Sequence, residues 1–143
     1  MNTLLQTAFS QYGVTEISGA SHNPTIVNYF KTIGHKWVTT DETAWCSAFA
    51  NWVALKAGKK GSGKLDARSW LKTGNTTYRP VLGDVVVFWR ESKSSWKGHV
   101  GFFIGYSEDN RYIYVLGGNQ SNQVNIKPYP KSRLLGFRRL SSL

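Results

Sequence analysis

Two side chains in this chain have the types and spacing to do chemistry together. Cys46, in the stretch Trp45-Cys46-Ser47-Ala48-Phe49, is the only cysteine among 143 residues. His99 follows 53 positions later, in Gly98-His99-Val100-Gly101. Thiol catalysis needs a thiolate, a base that forms and holds it, and a polar group that orients the base. A cysteine near the start of a helix meets the unpaired N–H groups of the first turn, which favour a thiolate and help to hold an oxyanion. Such a cysteine is equally well a small buried hydrophobe, so the residues alone leave both readings of Cys46 open.

Of the three histidines, His22 and His35 fall in connectors around an expected second helix and read as solvated. His99 opens an expected strand, so its ring belongs at a sheet edge. The orienting group should then come from the strand paired with it. An antiparallel partner over 112–117 returns to the His99 end near 116–119, which nominates Asn119, with Gln120 and Asn122 as fallbacks. The plainer reading of Gly117-Gly118-Asn119-Gln120 is a tight turn, where Asn is common for backbone reasons. Trp96 and Lys97, just before His99, are expected to line a substrate groove. Trp45, beside the nucleophile, is placed with them as a candidate contact, against the alternative of core packing. Asp84 reads as a residue that fixes a turn.

These side chains must be positioned by the surrounding elements. Apolar spacing predicts helices over 3–12, over 24–33 behind an Asn23-Pro24 start, and from Asp41 or Thr43 to Gly58, with Glu42 placed for the helix dipole. Lys59 to Lys64 reads as a flexible basic loop, followed by one short helix up to Gly74. The texture then changes. Val85-Val86-Val87-Phe88 is apolar without a break, as in a central strand, and residues 99–106, 112–117, 123–129 and 134–139 read as further strands. Helices first and an antiparallel sheet of about five strands afterwards is the α+β pattern. With no repeat or linker, residues 1–143 are expected to form one domain.

Composition narrows the classes. A 41% hydrophobic and 18% charged chain is globular rather than disordered. One cysteine excludes an internal disulfide and any multi-cysteine zinc site. No segment approaches a membrane span, and no basic, apolar leader opens the chain. The expectation is synthesis in the cytoplasm, and work outside it would need lysis, a phage particle or a secretion system to carry the protein there. The net charge of +10 favours polyanions, but no recognition motif interleaving basic and aromatic residues points to a specific nucleic acid.

The order of WCSAF on a helix, GDVVVF and GHVGFFIG as successive strands, and YVLGGNQSNQVNI behind them resembles the CHAP family. These are cysteine, histidine-dependent amidohydrolases/peptidases related to the NlpC-type cell-wall peptidases. The resemblance spans about residues 4–139. It implies a papain-like fold, Cys46 attacking an amide carbonyl, His99 as general base and then acid, and Asn119 as the third polar residue. It also implies peptidoglycan as substrate, cut at the N-acetylmuramoyl-L-alanine amide or at a peptide bond of the stem or cross-bridge. The calcium loop of some members, a run of spaced aspartates, has no counterpart here, so no metal and no cofactor are expected. The basic surface is expected to hold anionic wall polymers. Roles that fit are a phage lysin or an antibacterial effector, the latter with an immunity protein, and a monomer is the default. The rival readings are a cysteine deamidase acting on a protein and a non-catalytic basic binding module.

Overall fold

The computed structural model describes residues 3–17, 22–37 and 44–143. Three α-helices come first: α1 (Thr3–Phe9), α2 (Pro24–Thr32) and α3 (Cys46–Lys56). A short 3₁₀ helix, Ala67–Lys72, precedes six strands: β1 (Asn75–Thr77), β2 (Val85–Trp89), β3 (Gly98–Tyr106), β4 (Tyr112–Gln120), β5 (Gln123–Pro130) and β6 (Leu134–Arg139). They form one sheet in the order β1-β6-β2-β3-β4-β5, and every pairing is antiparallel. This is the α+β architecture expected, with six strands rather than five. The additional one, β1, is three residues long and pairs with the end of β6. Asn75-Thr76-Thr77 lacks the apolar alternation that would mark it.

The uninterrupted apolar run of β2 has a physical explanation. Val85 and Val87 face the helices and pack with Phe49, Val100, Phe102 and Leu116. Val86 and Phe88 face the other way and join Phe103, Ile113, Val115 and Phe137 in a second cluster. A strand buried on both faces has no polar side, so alternation disappears. Both valine-rich faces are fully covered, and burial on this scale is the main favourable term in folding.

Local signals explain the helices. Asn23 caps α2, its side chain accepting a hydrogen bond from the Thr25 N–H at 2.9 Å, with Pro24 as the first helical residue. The helix that carries the cysteine starts later than the sequence suggests. Cys46 is its first residue and Trp45 its cap, without a side-chain cap bond. Asp41, Glu42 and Thr43, expected to begin it, lie outside the described residues.

The loop after α3 is pinned rather than free. Asn51, almost fully buried, donates from Nδ2 to the carbonyls of Ser47 and Lys64 and accepts from the Gly63 N–H at 2.8 Å. Ser47 Oγ donates to the Lys64 carbonyl at 2.6 Å and accepts from Trp70 Nε1 at 2.9 Å. Buried polar groups must find partners, and here the partners of Ser47 and Asn51 tie helix, loop and 3₁₀ helix together behind the cysteine.

Asp84 behaves as the sequence suggests. It is 5% exposed, accepts the Val81 N–H at 2.8 Å, and holds Arg139 through both carboxylate oxygens at 3.0 and 2.7 Å. That fork closes the turn before β2 onto β6.

Candidate active site

Cys46 and His99 open onto one cleft of about 550 Å³. The cysteine arrives as the first residue of α3. The amides of Cys46, Ser47 and Ala48 precede the first intrahelical bond, from Phe49 N–H to the Trp45 carbonyl at 2.9 Å, so they remain available to a ligand or the thiol. The helix can come this close to the sheet because β4 carries Gly117-Gly118. A Cβ on Gly118 would lie 2.7 Å from Phe49 Cβ and 2.7 Å from the Trp45 ring.

His99 is the second residue of β3 and pairs across the sheet with Phe88. The residue is 6% exposed. Nε2 lies 3.0 Å from Oε1 of Gln120. The tautomer follows from the surrounding network. Gln120 Nε2 is directed at three acceptors, the carbonyls of Val115 and Asn125 and Oδ1 of Asn125, at 3.1, 2.8 and 3.0 Å. The orientation of Asn125 is set in turn by its Nδ2, which donates to the Gln120 carbonyl at 3.1 Å. The amide NH2 of Gln120 must therefore point at these oxygens, and its Oε1 must accept. Nε2 of His99 carries the hydrogen, which leaves Nδ1 as the basic nitrogen, with no hydrogen bond to any described residue.

The orienting amide is thus one position beyond Asn119. Regular pairing continued from Phe102 opposite Leu116 would set Asn119 against His99. The strand does not continue regularly. Gly117 pairs with Asn125 but Gln120 pairs with Gln123, so β4 holds one extra residue. Asn119 takes φ +56° within this bulge, and Gln120 receives the buried place beside the imidazole. Asn119 and Asn122 remain on the cleft wall. Two glycines inside a strand pattern are the signal that announces a bulge.

Tyr129 of β5 also packs against the histidine. Its ring stacks on His99 at a centroid distance of 4.8 Å and 20°, and on Phe88 at 5.1 Å and 23°. Nothing in the sequence singles it out, because β5 does not pair with β3 and lies two strand positions from it, beyond β4.

The electrostatics follow from burial. Desolvation pushes the His99 imidazole down from 6.5 to about 4, against the Gln120 hydrogen bond that raises it. Burial pushes the Cys46 thiol up, while the N–H groups of Val100, Ser47 and Cys46 and the charge of Arg90 pull it down. Both shifts favour the uncharged forms, thiol and neutral imidazole.

The remaining expected contacts divide. Trp96, 72% exposed, and Lys97 both lie on the cleft wall. Lys97 Nζ pairs with Glu91 at 2.9 Å. Their loop is clamped by Arg68, which donates to the carbonyls of Lys97, Lys93 and Ser92 at 2.8, 2.6 and 2.8 Å. Trp45 does not reach the cleft. It is fully buried, its ring against Tyr29 and the Gly118 backbone and its Nε1 donating to Glu16 Oε1 at 2.6 Å. A ring flanking the helix start is drawn inward because that is where α3 meets β4. His35, expected to be solvated, has its Nε2 3.0 Å from the Gly63 carbonyl.

The CHAP domain matches this chain over residues 38–119, more than half its length, including Cys46, His99 and Asn119. Among solved structures, the chain is similar to a protein from Staphylococcus aureus subsp. aureus Mu50 described as similar to a lipoprotein of the NLP/P60 family. The TM-score is 0.56 at 19% identity, over 96% of this chain and 40% of that one. The chain therefore spans well under half of that protein, and at this identity the likeness is one of fold. No curated protein matches the sequence.

Proposed function

Because this chain belongs to the CHAP domain family, whose members are in general cell-wall hydrolases, we propose that it hydrolyses an amide bond of peptidoglycan through Cys46. One observation carries the reading. The thiol at the start of α3 and the base of β3 share a cleft, and Gln120 holds the imidazole with Nε2–H bound and Nδ1 bare.

The steps follow from these positions. With substrate in the cleft, Cys46 Sγ attacks the carbonyl carbon as its proton passes to His99 Nδ1. The carbonyl oxygen gains the negative charge and is held by the N–H groups at the start of α3. His99 then protonates the leaving amine, and a thioester to Cys46 remains. Water, deprotonated by Nδ1, attacks the thioester, the thiol is regenerated, and the acid departs. Gln120 serves by accepting the Nε2–H throughout, which stabilises the imidazolium formed midway. Asn119, on the wall beside it, is a substrate contact rather than the orienting residue, and Trp96 offers a face for stacking on sugar or peptide. The bond is the N-acetylmuramoyl-L-alanine amide or a stem or cross-bridge peptide bond, and the biological setting a phage lysin or a delivered antibacterial effector. The net charge of +10 supports retention on anionic wall polymers.

The test is digestion of purified peptidoglycan by wild type and Cys46→Ala, with products read by mass spectrometry. Soluble fragments from wild type alone are expected, and their masses identify the bond. Equal release by both proteins, or none by either across several wall chemotypes, would sink the reading.

A further inference from the structure

The cleft over Cys46 and His99 is electrically unbalanced. Its walls carry Arg90, Lys97 and Arg133 against one carboxylate, Asp66. Lys97 is already neutralised by Glu91. Arg90 and Arg133 meet no carboxylate among the described residues. They come from different elements, Arg90 from the residue after β2 and Arg133 from the short turn before β6. The Arg90 backbone is held where β2 ends, its main-chain N–H donating to the Lys97 carbonyl at 3.2 Å, and the Arg133 guanidinium sits 5.0 Å over the Trp89 ring. A guanidinium stacked by its face keeps its N–H edges free for an anion.

Exposed arginines on a basic protein are ordinary. These two differ in lying on the wall of the cleft that holds the thiol. The charge of Arg90 is felt at Cys46, His99 and Tyr129 alike.

We propose that Arg90 and Arg133 form a carboxylate-recognising subsite, so that the preferred substrate is a peptide with a free carboxylate close to the scissile amide. A planar fork of N–H donors matches a carboxylate in two parallel bonds. The statement about substrate rests on the hydrolase reading above; the anion subsite itself does not.

The experiment compares alkylation of Cys46 by iodoacetate and by iodoacetamide. Both reagents place the thiolate on the same carbon and expel iodide, and they differ in carrying a carboxylate or a neutral amide. The ratio of the two rates therefore cancels changes in thiol reactivity. In Arg90→Gln and in Arg133→Gln the iodoacetate to iodoacetamide ratio is expected to fall roughly threefold for each guanidinium lost, less so at high salt. Arg111→Gln, which removes the same charge at the turn before β4, leaves the ratio unchanged. A ratio that is unaltered in the double variant overturns the proposal. So does a wild-type thiol inert to both reagents even at a pH high enough to ionise it, since the cleft would then not open onto Cys46.

A second arm uses stem peptides with either a carboxylate or a carboxamide on the residue beside the scissile bond. The subsite predicts a higher KM for the carboxylate peptide in both arginine variants, with the carboxamide peptide little changed. A KM for the carboxylate peptide unmoved by either variant counts against the subsite. If neither peptide is cut while the alkylation ratio falls as expected, the hydrolase reading fails and the anion subsite stands.

Discussion

Oε1 of Gln120 lies 3.0 Å from Nε2 of His99, and the other end of the same amide is committed to Val115 and Asn125. The imidazole is therefore held by a side chain that cannot turn over without breaking its own bonds. The proposed mechanism depends on this relationship, and it is the first to test.

Gln120→Ala removes the acceptor of the Nε2 hydrogen and is expected to lower kcat roughly a hundredfold or more, with KM less affected. Asn119→Gly, which keeps the left-handed backbone at φ +56°, should change kcat only a few-fold. Steady-state kinetics on a soluble fragment of the substrate separate the two. Equal losses would return Asn119 to the orienting role.

Stability should depend on pH through His99 and Cys46. The His99 imidazole titrates near 4 when folded and near 6.5 when unfolded, so the unfolded chain binds the extra proton first on acidification. Stability is then fully present above about pH 6.5 and is lost as pH falls toward 4, by roughly 3 kcal/mol at most. The Cys46 thiol is raised from 9.0, so its contribution is present below pH 9 and is lost as pH rises beyond. Thermal melts across this range should show a plateau with two flanks. His99→Phe flattens the acid flank and Cys46→Ala the alkaline one; unchanged flanks in both variants would contradict the burial argument.

Gly118→Ala tests the approach of α3 to β4. The added methyl would meet Phe49 and Trp45 at 2.7 Å, and both are fully buried. Overpacking of this kind costs about 1–3 kcal/mol, seen as a lower denaturant midpoint. Displacing the start of α3 also moves Cys46, so activity should fall more than stability does.

Arg68→Met removes three hydrogen bonds to the loop that carries Trp96 and Lys97. Faster amide exchange over residues 91–97 and a KM raised severalfold are expected, with kcat within a factor of a few. A kcat collapse with unchanged exchange would show that Arg68 acts elsewhere.

Much of this molecule is readable in the primary structure. Asn23-Pro24 caps a helix because its side chain needs only a local amide. The valine run of β2 reports a strand covered on both sides. Cys46 and His99 stand out as the only cysteine and as a histidine at a strand start. The departures have a common character. Trp45 looks like a cleft residue by proximity but is taken into the core by the α3–β4 contact. Asn119 faces His99 by simple counting, and one extra residue in β4 replaces it with Gln120.

What the sequence determined by itself is therefore whatever depends on periodicity, local caps and residue type: the order of helices and strands, the buried central strand, and the thiol and imidazole available for chemistry. What only the tertiary structure decided is which side chains meet. The bulge, the stacking of Tyr129 on His99, the clamp of Arg68 and the presence of Arg90 and Arg133 on the wall of one cleft all join residues distant in the chain. Each rests on close packing between elements, which is settled jointly by both partners and leaves no periodic trace in either.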